Sequence, residues 1–281
     1  MKKEIVVTKA SGQTEPFSIR KLRLSLTRAN ATNAAINSII EQLMPKLYQG
    51  ISTKKIYSEA FRLLRTHSKP HAARYYLKRG IMELGPSGFP FEKFIAKLFE
   101  KQGYSTQVGQ IVQGHCVSHE LDVIARKPNE INMVECKYRN SAGMPVDVKT
   151  PLYINSRFED VLANGTFKTA GDTVNGWIAT NSKFTSDAIS YARCKGLRLI
   201  SWDYPEPNSL RETIDKLGLY PLTCLTSLTC QEKQWLLDKD YVLVRDVYQN
   251  TDLLTKAGVN LKRIETVKEE GTKLCNTTKS E

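Results

Sequence analysis

The sequence predicts an α/β protein of the α+β kind in three parts: a small hairpin-plus-four-helix unit, a mixed-sheet unit, and a short all-helical C-terminal segment. Three observations predict it. An opening strand–turn–strand pattern gives way to helix-spaced apolar residues up to about residue 84. A second helical stretch then leads into three alternating runs and a strand–helix–strand ending. After Pro205-Glu206-Pro207 only short helical pieces remain. A chain of 281 residues is long enough for more than one folded unit, and the divisions expected are 1–85, 86–205 and 206–281.

Ile5–Lys9 reads as a strand that turns at Ser11-Gly12 and returns through Thr14 to Phe17. Helices follow: Arg20–Asn30 with Leu22 and Leu26, Ala35–Tyr48 with Ile36, Ile39, Ile40, Leu43 and Leu47, and Ser52–Thr66 with Ile56, Ala60, Leu63 and Leu64. Ser52 or Thr53 can cap the third, and Pro70 can open a fourth through Ala73, Tyr76, Leu77 and Ile81. The turn residues of Gly85–Pro90 mark a linker. Beyond it, Phe91, Phe94, Ile95, Leu98 and Phe99 form a helix face ending at Gly103. Strands are expected at Tyr104–Val112, His119–Arg126 and Ile131–Tyr138, then a helix around Asn155–Ala163, a strand at Trp177–Thr180, a helix at Thr185–Lys195 and a strand at Leu197–Trp202. The last segment reads as helices at Leu210–Leu217, Gln231–Leu237, Thr251–Ala257 and Leu261–Leu274, favoured as a packing appendage over a helix-hairpin-helix-like nucleic-acid contact. A disordered tail is expected from Asn276.

No run approaches the roughly 20 apolar residues of a membrane span, and the start is too short in apolar residues for a secretory signal, so a cytoplasmic protein with no membrane partner is expected. Six cysteines without a C-x-x-C pair argue against a disulfide framework and a zinc ribbon. The formal charge of +12 is uneven: residues 1–85 carry sixteen basic against five acidic side chains, leaving 25 and 24 for the rest. The excess is either a phosphate cradle or a solvated helical surface, and charge alone does not choose.

Asp122 is followed thirteen residues later by Glu135-Cys136-Lys137 on the next predicted strand. Alternation puts Glu135 and Lys137 on one face and Cys136 on the other, and a turn at Lys127–Glu130 brings Asp122 alongside. Hard oxygen ligands of this kind suit Mg²⁺ or Mn²⁺, with Asp122 and Glu135 as ligands. Lys137 can orient or deprotonate an attacking water and offset charge on a phosphorane, and Glu92 on the preceding helix can reach the same place as an outer ligand. The alternative is an exposed salt-bridged face. The apolar neighbours Leu121, Val123, Ile124 and Val134 favour the functional reading.

Phe91-Glu92-Lys93-Phe94-Ile95, Gly103-Tyr104, His119-Glu120-Leu121-Asp122-Val123-Ile124, Glu135-Cys136-Lys137, Thr180–Thr185, Tyr191-Ala192 and Leu199–Trp202 together resemble the Mrr-type branch of the restriction-endonuclease-like, PD-(D/E)xK, superfamily. The resemblance implies that Asp122 and Glu135 bind metal, that Lys137 is the catalytic lysine and that Glu92 is the helix carboxylate. Some Mrr-type enzymes carry Gln where Glu135 stands.

Val7-x-Lys9-x-Ser11-Gly12, Phe17 and Arg20-Lys21 place a glycine turn and cations at a helix start, where an anion is welcome. With Gly50-Ile51-Ser52-Thr53 and Ala73–Arg79, the segment from about 3 to 84 is similar to the ATP-cone domain. That resemblance implies ATP or dATP as a regulatory ligand, with Val7, Lys9 and Gly12 lining it, Lys21 on phosphates, Thr53 and Tyr57 near base or ribose, and Lys78 or Arg79 closing on phosphate. The family's Lys-Arg-Asp-Gly run is here Lys9-Ala10-Ser11-Gly12. No P-loop is present, so binding without hydrolysis is expected. The reading is a Mg-dependent endonuclease on double-stranded DNA, regulated by a purine nucleotide and assembled as a homodimer or larger. A non-catalytic nucleotide-sensing DNA-binding regulator, and a nuclease acting on RNA or branched DNA, are the alternatives.

Overall fold

The computed structural model describes residues 4–141, 143–167 and 171–276. The hairpin forms in its expected place, with β1 (Val6–Thr8) antiparallel to β2 (Thr14–Pro16) and Gly12 at φ +82° in the turn, a backbone state that favours glycine. Helices α1 (Ile19–Arg28) and α2 (Asn33–Leu43) follow, their first turns capped by the hydroxyls of Ser18 and Thr32. Helix α2 stops well short of Tyr48 because Pro45 diverts the chain into a 3₁₀ turn at Met44–Lys46. A strand that the sequence reading missed, β3 (Ile51–Ser52), then pairs parallel to β1, giving the order β2-β1-β3. Ser52 caps α3 (Thr53–His67) by accepting from the Lys55 N–H.

The expected fourth helix is two, α4 (Lys69–Tyr75) and α5 (Leu77–Met82), parted at Tyr76. No Gly or Pro marks that break. Its effect is to let Tyr76 pack on Phe61, ring centroids 5.0 Å apart, and hydrogen-bond Glu83. The turn residues Gly85–Gly88 are pinned: the Gly85 N–H donates to the Tyr138 hydroxyl at 2.9 Å, and that hydroxyl donates to the Met82 carbonyl at 2.6 Å. Gly88, at φ +80°, starts α6 (Phe89–Glu100) with Pro90 in its first turn.

The central sheet has the order β4-β5-β6-β7-β8. Strands β4 (Ser105–Gln113), β5 (Ser118–Lys127) and β6 (Glu130–Lys137) form the expected antiparallel meander, while β7 (Thr173–Thr180) and β8 (Arg198–Ile200) join it in parallel. Helix α7 (Lys149–Ala163) begins ahead of the predicted Asn155, with Pro151 tolerated in its first turn. It and α8 (Ser186–Cys194) cover the face carrying Leu121, Ile124, Ile131, Met133 and Ile178. Helix α6 covers the opposite face, where Val123, Ala125, Val134 and Cys136 are buried.

That second core does not end at α6. It continues without a gap into Leu77, Ile81 and Leu84 beside α5, and into the C-terminal helices α9 (Leu210–Leu217), α10 (Cys230–Leu237), α11 (Thr251–Lys256) and α12 (Leu261–Cys275). Helices α9 and α10 each open with a capping box, Ser209 with Glu212 and Thr229 with Glu232. The α5 backbone approaches this segment closely: the Thr223 hydroxyl donates to the Gly80 carbonyl at 2.6 Å, and a Cβ on Gly80 would lie 2.6 Å from the Cys224 sulfur. The N-terminal helices keep a separate core around Leu26, Ile36, Ile39 and Leu64.

All six cysteines are free thiols. No helix among the described residues is long and apolar enough to cross a membrane. The tail beyond Asn276, expected to be disordered, lies outside the described residues.

Candidate active site

The β5–β6 ladder runs from Lys127 opposite Glu130 to Val123 opposite Val134 and stops one residue short of Asp122. On the other side, the β4–β5 register lapses at the same place, where Gly109 sits at φ +63°. Strand β5 therefore parts from β6 at Asp122 while staying paired with β4 from Leu121 to Ser118, and the Asp122 carboxylate takes over from the backbone: the Cys136 N–H donates to Asp122 Oδ2 at 2.6 Å. Strand β6 stays fixed through this region by its parallel pairing with β7, from Glu135 opposite Ile178 to Lys137 opposite Thr180. The result is a fork whose two prongs carry Asp122 and Glu135.

Alternation along β6 works as the sequence reading required. Cys136 is buried with Val134 in the α6-side core, and Glu135 and Lys137 share the other face. Glu135 is only 3% exposed, and both its oxygens are engaged, Oε1 by Lys137 Nζ at 2.6 Å and Oε2 by Arg157 Nη1 at 2.8 Å. Arg157 comes from α7, also donates to the Glu120 carbonyl and lies 5.6 Å from the Tyr153 ring. A carboxylate this buried is tolerable only when it is paired in this way.

Burial, and then the Glu135 charge, push the Asp122 carboxyl up to about 6. Burial, and then Asp122, Glu120 and Glu135, push Glu92 on α6 up to about 7. Glu92 thus feels the charge of the cluster from α6. Four carboxylates, Glu92, Glu120, Asp122 and Glu135, against Lys137 and Arg157 leave the fork short of positive charge, and the available donors are hard oxygens, which fits Mg²⁺ or Mn²⁺. Among the described residues no group of three or more His, Cys, Asp and Glu side chains is arranged to hold a metal. Asp122 and Glu135 are the carboxylates of the fork that could ligate an ion directly, a number that suits one keeping several of its waters.

Beside the fork, Asp160 of α7 lies 2.7 Å from His119 Nε2 and accepts the N–H groups of Cys116 and Val117 at 2.8 and 3.3 Å. It clamps the β4–β5 turn. The sequence reading missed Arg157, Asp160 and the role of Gly109. No spacing rule links α7 to β5 or β6; the only local sign was an isolated glycine inside an alternating run.

The residues expected at the nucleotide divide into groups. Val7, Lys21, Thr53 and Tyr57 line one cavity of about 180 Å³ together with Glu15 and Phe17. Lys9 joins this group through Glu15, which pairs with Lys9 at 2.8 Å and Lys21 at 3.0 Å and is held below the usual carboxylate range by the two. Gly12 is at the open hairpin tip. Tyr57 stacks on Tyr75 with ring centroids 4.8 Å apart and donates its hydroxyl to the Tyr75 carbonyl. Lys78 and Arg79 are elsewhere, carried off by the break at Tyr76. Arg79 bonds Glu83 at 3.1 Å and lies over the Tyr76 ring, whereas Lys78 sits 5.5 Å from the ring of Trp202.

This architecture defines an ATP cone domain joined to a restriction-endonuclease domain. The family models agree in series: an ATP cone domain matches residues 5–79, a restriction endonuclease catalytic domain matches 85–204, and an AF1548-like C-terminal domain matches 220–275. An uncharacterized protein of Archaeoglobus fulgidus is 34% identical over 183 residues, covering 64% of this chain and 99% of that protein. The chain belongs to the family of that archaeal protein. The crystal structure of the protein of unknown function AF1548 superposes with a TM-score of 0.55 at 32% identity, over 68% of this chain and 99% of that one. The structure of Can2 from Sulfobacillus thermosulfidooxidans with cyclic tetra-adenylate is similar only at TM-score 0.32 and 14% identity, over 76% of this chain and 68% of that one, too distant to speak to fold or ligand.

Proposed function

We propose that the protein is a divalent-metal-dependent DNA endonuclease whose N-terminal unit, residues 1–85, binds ATP or dATP and regulates the nuclease unit of residues 86–205. The observation that carries this reading is the fork, where Asp122, Glu135 and Lys137 meet at the end of a fixed strand. Asp122 and Glu135 would hold Mg²⁺ or Mn²⁺, which when bound polarises phosphoryl oxygens and acidifies water. Lys137 sets a mobile positive charge beside the scissile phosphate, orients the attacking water and offsets charge developing in the transition state. Arg157 stays paired with Glu135 and holds it in place, so that Lys137 can leave it for substrate without exposing an unpaired buried charge. Glu92 supports the cluster from α6.

Double-stranded DNA is the substrate this reading names, and a homodimer or larger assembly places two forks on its two strands. The hairpin cavity takes the nucleotide, with Lys9 and Lys21 exchanging Glu15 for phosphate. The test is nicking of supercoiled plasmid by purified protein with Mg²⁺, with and without ATP. Metal-dependent cleavage absent in Asp122→Asn supports the enzyme, and cleavage that survives the substitution refutes the site.

One observation favours a second reading. Both oxygens of Glu135 are already taken by Lys137 and Arg157, an arrangement equally suited to a silent scaffold in a nucleotide-sensing DNA-binding regulator. DNA binding that responds to ATP, with no cleavage of duplex DNA, branched DNA or RNA under any divalent metal, selects it.

A further inference from the structure

Where α1, α3 and α4 meet the segment after β8 and the start of α9, a cavity of about 270 Å³ opens that no single part of the chain encloses. Four cations line it: Arg28, Arg74, Lys78 and Arg211. Among the described residues only Arg211 has a carboxylate within ion-pair distance, Glu212 at 3.2 Å. The Nε of Arg74 is buried with no hydrogen-bond partner, a cost that a bound acceptor removes. The one carboxylate in the wall, Asp215, is a poor counter-ion. The Tyr220 hydroxyl donates to it at 2.8 Å and burial favours its neutral form.

The remaining walls are aromatic. Trp202 lies under Lys78 at 5.5 Å, and the stacked Tyr57–Tyr75 pair closes one side. Uncompensated guanidinium groups beside aromatic planes match a ligand with phosphates at one end and a flat heteroaromatic ring at the other. Ser25, Tyr57 and Tyr75 also line the hairpin cavity, so the two spaces share a wall.

We propose that this junction cavity is a second nucleotide site, separate from the hairpin cavity, and that it takes a nucleoside polyphosphate of the ATP or dATP kind. Ligand here touches the N-terminal helices, Trp202 beyond the nuclease sheet and Arg211 of the C-terminal segment at once. Its occupancy therefore draws the three parts together, and the tyrosine wall couples it to the hairpin site. The regulatory consequence rests on the nuclease reading above, but the binding does not.

The test is equilibrium dialysis of ATP and of dATP against the full chain in EDTA, with tryptophan fluorescence recorded alongside. Two nucleotides per chain are expected. Arg28→Ala combined with Arg211→Ala should leave one per chain, affinity at the lost site falling on the order of tenfold or more per missing guanidinium contact. Lys9→Ala with Lys21→Ala should also leave one, but with the fluorescence change retained. Trp202→Phe, which keeps an aromatic wall, should retain two nucleotides and lose the fluorescence change. One nucleotide per chain in the wild type, or Arg28/Arg211 variants that bind as the wild type does, overturns the proposal, as does a fluorescence change that survives in Trp202→Phe. Two bound nucleotides with no metal-dependent cleavage would instead remove the nuclease reading and leave this site standing.

Discussion

The fork between β5 and β6 and the hairpin unit at the N-terminus pose opposite electrostatic problems. At the fork, Glu92, Glu120, Asp122 and Glu135 stand, among the described residues, against Lys137 and Arg157, and burial with mutual repulsion lifts Asp122 to about 6 and Glu92 to about 7. In the hairpin, one carboxylate, Glu15, is shared by Lys9 and Lys21 and pulled below its ordinary range. Acids pushed up mark a place where another positive charge is stabilising. An acid pulled down marks cations with charge to spare for an anion. On the function proposed above, the two regions of one chain serve opposite partners, a divalent cation and a phosphate chain.

The sharpest way to break this contrast is Lys137→Ala. Loss of a positioned ammonium beside a reacting phosphate is expected to lower cleavage by about 10²-fold or more, while DNA binding in a filter assay stays near wild type. Full nicking activity in this variant would show that the fork does no chemistry. Next in size is Arg157→Leu. It leaves Glu135, 3% exposed, with Lys137 as its one cation, and about 2–3 kcal/mol of stability should go with it. By calorimetry that is a fall in Tm of very roughly 5–10 °C; an unchanged Tm would mean that Glu135 does not need the pair. On the other side of the comparison, Lys21→Ala is expected to weaken ATP binding by about tenfold, read by titration calorimetry. Tighter binding would mean that the lysine serves Glu15 rather than phosphate.

The fork was legible in the sequence because Asp122, Glu135 and Lys137 lie on neighbouring strands, and a period of two with a short turn fixes which side chains meet. Arg157 was not, because the distance from β6 to α7 carries no register. Strand β3 is two residues long and offers no alternation to read, and the break at Tyr76 has neither Gly nor Pro, so periodicity ran straight through it. That break turns Lys78 and Arg79 from the hairpin and puts Lys78 at the junction. The C-terminal helices were visible as helices. That they share a core with α5 and α6 was not, since an apolar stripe declares that a helix packs but not against what.

The smallest effect is expected at Asp160, which tests the contrast between raised and lowered acids within the nuclease domain itself. Asp122 and Asp160 are the same residue type, yet Asp122 is raised by burial among carboxylates, whereas Asp160 is held well below the usual range, first by its hydrogen bond with His119 and then by the Cys116 N–H. A group whose folded pKa is lowered binds protons more readily in the unfolded chain. Its contribution to stability is therefore present above an unfolded value of about 3.9 and drains away as the pH falls below it toward the folded value. The Tm difference between wild type and Asp160→Asn should accordingly stay level from about pH 5 to 8 and shrink below about pH 4. If acidification widened the difference instead, Asp160 would be stabilising as the neutral acid. The environment of the β4–β5 turn would then be like that of the fork, and surplus negative charge would be a property of the whole sheet edge rather than of the site.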